Sequence, residues 1–203
     1  MEIKKIVSLG MDQNCYLISE NSNGILIDPG LSTEKILSEI KDVKVNYILL
    51  THCHFDHLYS LNKIRGSKKV VGTKECSLNM IRPEISLCDK ESLPDASCDI
   101  EMEDGGVINF DGITVKCIKT PGHTNGSCCY LIENSLFSGD TLFRTNIGRC
   151  DFPTGDYGVI EKSIREKIYT LSDEITVYPG HGSETTIGFE KKFNAFLRSK
   201  VWI

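Results

Sequence analysis

The sequence predicts a mixed α and β fold, class α+β, with its sheets covered by helices. Three observations carry this. Short segments of strand-type patterning alternate with segments of helical periodicity along the chain. No repeat of fixed period and no Pro/Gly/Ser-rich linker divides it. Over 203 residues, 40% hydrophobic and 25% charged composition is enough apolar material for one core and too much for a disordered or fibrous chain. One domain over residues 1–203 is therefore expected.

Taken in order, Ile3 to Leu9 alternates apolar and polar side chains like a half-buried strand. Cys15 to Ser19 and Ile25 to Asp28 read as strands around a turn at Asn21-Ser22-Asn23-Gly24, closed by Pro29-Gly30. Ser32 stands where an N-cap would open a helix whose Ile36, Leu37 and Ile40 make one apolar stripe. Val45 to Leu50 is a continuous apolar run of the fully buried kind. A helix from Asp56 to Ile64, a strand at Val70-Val71 and a helix from Lys74 to Ile81 come next. The polar stretch from Pro83 to Gly106 has little periodicity and reads as a long loop or lid. Ile113 to Lys119 and Ser127 to Ile132 are strands, and the turn Glu133-Asn134 leads into Leu136-Phe137-Ser138. Ile160, Ile164, Ile168 and Leu171 mark the strongest amphipathic helix, Ile175 to Tyr178 a strand, and Phe189, Phe193 and Phe196 the last helix.

Charge and cysteine usage exclude several functions. Twenty-three basic against 28 acidic residues leave a net charge of −5, a field that repels phosphate backbones, so no nucleic-acid partner is expected. Nine cysteines are an odd number with no C-x-x-C pair, and the start lacks the apolar run of a secretory signal. Nothing reaches membrane-spanning length. A cytoplasmic protein with reduced thiols is expected, with the adjacent Cys128 and Cys129 as plain strand residues.

The informative residues are the five histidines: three fall in one segment just beyond a predicted strand, and the other two each follow a Pro-Gly pair after a strand. The densest segment is Thr51-His52-Cys53-His54-Phe55-Asp56-His57. His52 and His54, two apart in extended chain, project to one side, whereas Asp56 and His57 turn with the helix start toward a neighbouring point; Cys53 points away. An isolated histidine is usually a hydrogen-bonded structural residue. Three imidazoles and a carboxylate within six positions instead call for a cation to organise them. His123, in Pro121-Gly122-His123-Thr124, and His181, in Pro179-Gly180-His181-Gly182, share a context in which glycine frees the backbone to bring an imidazole inward. Asp140 follows Leu136-Phe137, and a carboxylate bridges two cations where a neutral ring does not. The ligands divide into His52, His54 and His123 on one metal and Asp56, His57 and His181 on the other, with Asp140 shared and an open position on each, as in catalytic sites.

These residues resemble the metallo-β-lactamase fold superfamily, whose T-H-x-H-x-D-H signature stands here as Thr51 through His57, followed by His123, Asp140 and His181. Ser138-Gly139-Asp140-Thr141-Leu142-Phe143, Ile147-Gly148-Arg149-Cys150-Asp151-Phe152 and the segment from Tyr178 to Glu190 are similar to the short, single-domain glyoxalase II-like hydrolases. The resemblance implies an αββα sandwich of two mixed sheets covered by helices. It also implies two divalent metal ions, zinc first with iron or manganese possible, and hydrolysis of a small-molecule thioester of the hydroxyacylglutathione type. Two cations sharing a water lower its pKa to about 7 and make hydroxide available as the nucleophile. Asp56 reads as a ligand, a proton acceptor or both, and the resemblance favours the ligand. A monomer or small homo-oligomer is expected.

The resemblance stops short of the helical C-terminal segment of full-length glyoxalase II enzymes. Asn125 and Ala195 stand where proline is common, which is expected to alter loop stiffness and not chemistry. Around the ligands, Asp28 is a candidate to fix an imidazole tautomer. Thr51 and Thr124 are candidate hydrogen-bond donors, and Arg149 with Asp151 is a candidate loop brace or substrate contact. The runner-up is a mono-iron persulfide dioxygenase, similar in the same segments. A non-catalytic binding module is disfavoured by the intact ligand set.

Overall fold

The computed structural model describes residues 1–78 and 96–197. The first sheet orders its strands β1 (Glu2–Val7), β2 (Asn14–Glu20), β3 (Asn23–Ile27), β4 (Lys44–Leu49), β5 (Lys69–Gly72) and β6 (Ile100–Glu101). The first three pair antiparallel and the last four parallel. Asn21 and Ser22 both take left-handed φ, 49° and 67°, the twist a two-residue hairpin turn needs between β2 and β3.

The second sheet contains β7 (Val107–Phe110), β8 (Ile113–Lys119), β9 (Cys128–Ile132), β10 (Ser135–Gly139), β13 (Thr176–Pro179) and β14 (Thr185–Thr186). Only β10 and β13 in it run parallel. A separate hairpin joins β11 (Leu142–Phe143) to β12 (Asn146–Ile147). No helix among the described residues is long and apolar enough to cross a membrane.

The two-residue period of the strands distributes side chains over three buried layers. On β2, Cys15 and Leu17 join Ile48 and Val70 against the helices of the first sheet. Tyr16 and Ile18 face the other way, into the layer between sheets, where they meet Val115, Tyr130 and Phe137. On β9, Cys128 and Tyr130 enter that middle layer while Cys129 joins Leu136, Val177, Ile160, Ile164 and Ile168 in the outer layer of the second sheet. Helix, sheet, sheet, helix is thus the αββα order expected. Cys128 and Cys129 are strand neighbours on opposite faces.

α1 (Thr33–Ile40), α2 (Phe55–Leu58), α3 (Leu61–Arg65) and α4 (Lys74–Leu78) cover the first sheet; α5 (Tyr157–Ser163) and α6 (Ile187–Phe193) cover the second. Asp156 caps α5 by accepting from Val159 N at 3.0 Å, and a π-helical turn, Ile164–Ile168, prolongs it.

Several expectations need correction. The helix read from Asp56 to Ile64 is two short helices, α2 and α3, because Ser60 turns between them and its hydroxyl reaches Gly30 O and Thr33. Ser32 donates no cap to α1; its Oγ accepts from Leu9 N instead, and Leu37 is exposed while Ile36 and Ile40 are buried. The stretch from Pro83 to Gly106 contains β6, too short for any periodic signal, and residues 79–95 of it and of the helix ending at Ile81 lie outside the described residues. Phe193 and Phe196 are about half exposed, and the residues that α6 buries are Ile187 and Glu190. The expectation of reduced thiols fails for one pair: Cys53 and Cys76 form a disulfide.

Candidate metal centre

Loops leaving the C-terminal ends of β3, β4, β8, β10 and β13 meet at one edge of the sandwich. After β4 the chain stays extended through His54, whose ψ is 145°, and then enters α2. The extended part puts the His52 and His54 rings 4.9 Å apart on one side. Cys53 goes the opposite way, to Cys76 on α4. Asp56 and His57 face inward from the first turn of α2 and are buried.

From β8 the chain reaches His123 through Gly122, whose φ of 134° is closed to other residues and whose α-carbon lies against Ile160. From β13 it reaches His181 through Gly180, where a Cβ would overlap Asp140 Oδ1.

The donor atoms of His52, His54 and His123 lie within 4.8 Å of one another, and so do those of Asp56, His57 and His181. Asp140 stands between the two groups. Its Oδ1 is 3.3 Å from His57 Nε2, and its Oδ2 is 3.5 Å from His123 Nε2 and 3.7 Å from His181 Nε2. His52 Nε2, His123 Nε2 and Asp140 Oδ1 are buried without a hydrogen-bond partner. Orphaned polar atoms of this kind are costly, and two triads of imidazole and carboxylate donors are the set that a divalent cation satisfies. The residues fit a metal centre.

The outer ring nitrogens point the same way. His52 Nδ1 is 3.0 Å from Thr51 Oγ1, His57 Nδ1 is 2.9 Å from Asp28 Oδ2, His123 Nδ1 is 2.7 Å from Arg149 O, and His181 Nδ1 is 3.1 Å from Met11 O. Thr51 gives its one hydroxyl proton to Asp28 Oδ2 at 2.6 Å, so it accepts from His52. Each Nδ1–H is thereby committed outward, and each Nε2 is left to the centre. Asp28 also accepts from Thr51 N at 2.8 Å, and its left-handed φ of 51° turns the carboxylate inward.

Burial and neighbours give the two halves opposite proton affinities. Burial pushes His52 well below the ordinary histidine range, and burial with His123 nearby lowers His54 to about 4. For His57 burial acts downward too, but Asp140, Asp56 and Asp28 outweigh it and hold the ring well above its usual value. His181 is raised, its burial outweighed by Asp56 and Asp140. Burial would raise Asp140, but facing imidazoles, His57 first, hold it well below the carboxylate range.

All seven residues singled out from the spacing of the motifs converge here. Of the outer candidates, Asp28 and Thr51 touch histidines. Thr124 does not: its N and Oγ1 are engaged by Ser127, three residues on, in a local turn. Arg149 pairs with Asp151, its Nε and Nη2 at 2.8 and 2.7 Å from the carboxylate, and its guanidinium lies 3.8 Å over Phe152 at the rim of the cavity described below. Its main-chain carbonyl is what holds His123.

Sequence reasoning missed Asn14, whose Nδ2 donates to Pro179 O and Gly182 O, both at 2.9 Å, and Tyr16, whose hydroxyl donates to Pro179 O at 2.7 Å. These bonds clasp the His181 loop to the first sheet across about 165 residues of chain, and no local spacing signals them.

Beside the centre lies a cavity of about 410 Å³. Met11, Phe55, Phe143, Ile147 and Phe152 give it apolar walls, and Arg149 and Asn146 add polar groups.

The chain belongs to the metallo-beta-lactamase superfamily, whose family model matches residues 9–181. It is 34% identical to the hydroxyacylglutathione hydrolase GloC of Haemophilus influenzae, over 98% of this chain and 100% of that one. Among solved structures it is similar to BLEG-1 B3 metallo-beta-lactamase, at 31% identity and a TM-score of 0.90 over 98% and 100% of the two chains. It is also similar to ETHE1 from Myxococcus xanthus, at 26% identity and a TM-score of 0.81 over 96% and 84%. Family and donor set together define a metallo-hydrolase fold with histidine and aspartate groups able to bind metal.

Proposed function

We propose that the chain is a binuclear metal-dependent hydrolase that cleaves a thioester of the hydroxyacylglutathione type. The observation that carries this reading is the pair of donor triads with Asp140 between them. His52, His54 and His123 would hold one cation and Asp56, His57 and His181 the other, with Asp140 shared and zinc the first choice of metal. When bound, two such cations supply an acidified water and an electrophile for a carbonyl oxygen.

The protein's own residues do the rest. Asp28, Thr51 and the carbonyls of Arg149 and Met11 fix the histidine tautomers. The apolar walls beside the centre give the acyl group a site from which water is displaced. A thiolate leaves without a proton donor, whereas the amine of an amide requires one, so this centre suits a thioester. Similarity to a hydroxyacylglutathione hydrolase over nearly the full chain supports the same substrate class.

The likeness to ETHE1 favours a second reading, a mono-iron persulfide dioxygenase. Elemental analysis of protein purified without chelator, followed by a thioester panel, separates the two. Close to two metals per chain with thioester cleavage supports the hydrolase; one iron with oxygen uptake on persulfides overturns it.

A further inference from the structure

Glu190 is 1% exposed, on the buried face of α6, and no basic side chain pairs with it among the described residues. Burying a carboxylate without a cation is costly, and an apolar residue such as its neighbour on the same face, Ile187, would pack there without that cost. What the carboxylate does is read from its donors.

Its Oε2 accepts from Thr145 N at 2.9 Å and from Asn194 Nδ2 at 2.8 Å, and its Oε1 accepts from Thr185 Oγ1 at 2.6 Å. Asn194 Nδ2 also donates to Asn146 O at 3.0 Å. The preceding residue, Arg144, donates to Glu184 O at 3.3 Å and lies 5.0 Å over the Phe189 ring. Three consecutive residues, Arg144, Thr145 and Asn146, are therefore tied to α6 and its flanks, and Glu190 is the hub.

These residues form the tip of the β11–β12 hairpin, which contributes Phe143, Asn146 and Ile147 to the cavity beside the metal centre. The hairpin has two residues per strand and turns through Thr145 at a left-handed φ of 61°. A two-stranded ribbon that short is not stable by itself, and a β-branched residue in that region is strained. Its order must come from outside, and the Thr145 N–H bond to Glu190 supplies it.

We propose that Glu190 is a positioning residue for the substrate pocket, holding the hairpin wall in place and so setting how well the substrate binds, without acting on the metals. The kinetic part rests on the hydrolase reading above.

The test compares the wild type with Glu190→Leu, which fills the space but removes every acceptor, and with Asn194→Ala, which removes the bonds to Asn146 O, Glu190 Oε2 and Phe196 N but leaves Glu190 on Thr145 N. Metal content, hydrogen exchange and steady-state kinetics on a hydroxyacylglutathione thioester are measured for each. For Glu190→Leu, exchange in residues 142–147 speeds up about tenfold, while β10 and the metal content are unchanged. KM rises about tenfold and kcat stays within about threefold, the pattern of lost ground-state binding. Asn194→Ala shifts both in the same direction by less.

Unchanged exchange in the hairpin overturns the proposal, as does a fall in kcat or metal content with KM unaltered. If the wild type cleaves no thioester, the hydrolase reading fails, while the exchange experiment still decides whether Glu190 holds the hairpin.

Discussion

Asp28 Oδ2 receives both the Thr51 hydroxyl, at 2.6 Å, and His57 Nδ1, at 2.9 Å. One oxygen on one strand end thus sets two elements of the 51–57 segment, and it leaves His57 Nε2 aimed at Asp140, 3.3 Å away.

Replacing Asp28 with Asn should therefore weaken metal retention in the Asp56, His57 and His181 half, by roughly ten- to a hundredfold, the range seen for such outer partners. Chelator competition on each half reads this directly. Equal retention in the wild type and the variant would show that the carboxylate does not set the His57 tautomer.

Asp140 reaches both triads, so Asp140→Ala should abolish metal binding at stoichiometric concentration and any hydrolytic activity. The fold should survive, because the backbone of β10 keeps its pairing with β9 and β13. Elemental analysis and circular dichroism are the measurements, and full metal content in the variant would contradict the shared-ligand reading.

The two halves should differ in how metal uptake depends on pH. Raised proton affinity at His57 and His181 means protons are held near neutral pH and must leave on coordination, so affinity there rises with pH. His52 and His54, pushed down by burial, are already neutral and release none. Titration calorimetry in buffers of different ionisation enthalpy should find more proton release on filling the Asp56, His57 and His181 half than on filling the other; equal release from the two would refute this asymmetry.

Arg149→Ala should leave metal content and melting temperature as they are. The side chain is exposed and paired with Asp151, a surface arrangement that contributes little. The main-chain carbonyl at that position, which no side-chain change removes, is what His123 uses. Loss of metal in this variant would show that the guanidinium braces the loop more strongly than its exposure suggests.

The Cys53–Cys76 disulfide joins residues 23 apart in sequence. A loop of that length predicts about 3 kcal/mol of stabilisation by restriction of the unfolded chain. Urea unfolding of the wild type against the Cys53→Ser/Cys76→Ser variant measures it, and coincident curves under oxidising conditions would mean that the bridge contributes nothing.

How much of this was legible in the sequence depended on distance along the chain. The residues of the 51–57 segment declare themselves through two-residue spacing in extended chain, and Gly122 and Gly180 announce the other two histidines by what a tight approach requires. Asp28 and Thr51 are readable because each follows a strand, Asp28 before the turn Pro29-Gly30 and Thr51 beside His52. Asn14 and Tyr16 were not, since their partners lie on the other sheet. Cys76 gave no sign of Cys53 because the two are 23 residues apart, on a loop and a helix that no local pattern links. The β11–β12 hairpin, with two residues per strand, has no periodicity to detect, and the spacing of Phe189, Phe193 and Phe196 points to a different face of α6 from the one that buries Ile187 and Glu190.

The side chains at the centre stand on strand ends, whereas the pocket wall stands on a hairpin pinned from behind by α6. Inner chemistry and outer fit are carried by different parts of the backbone. Such a scaffold can change diet without changing its engine: exchange of residues at the hairpin and along its α6 support would redirect it to new substrates, while the histidines and aspartates stay where the sheets hold them.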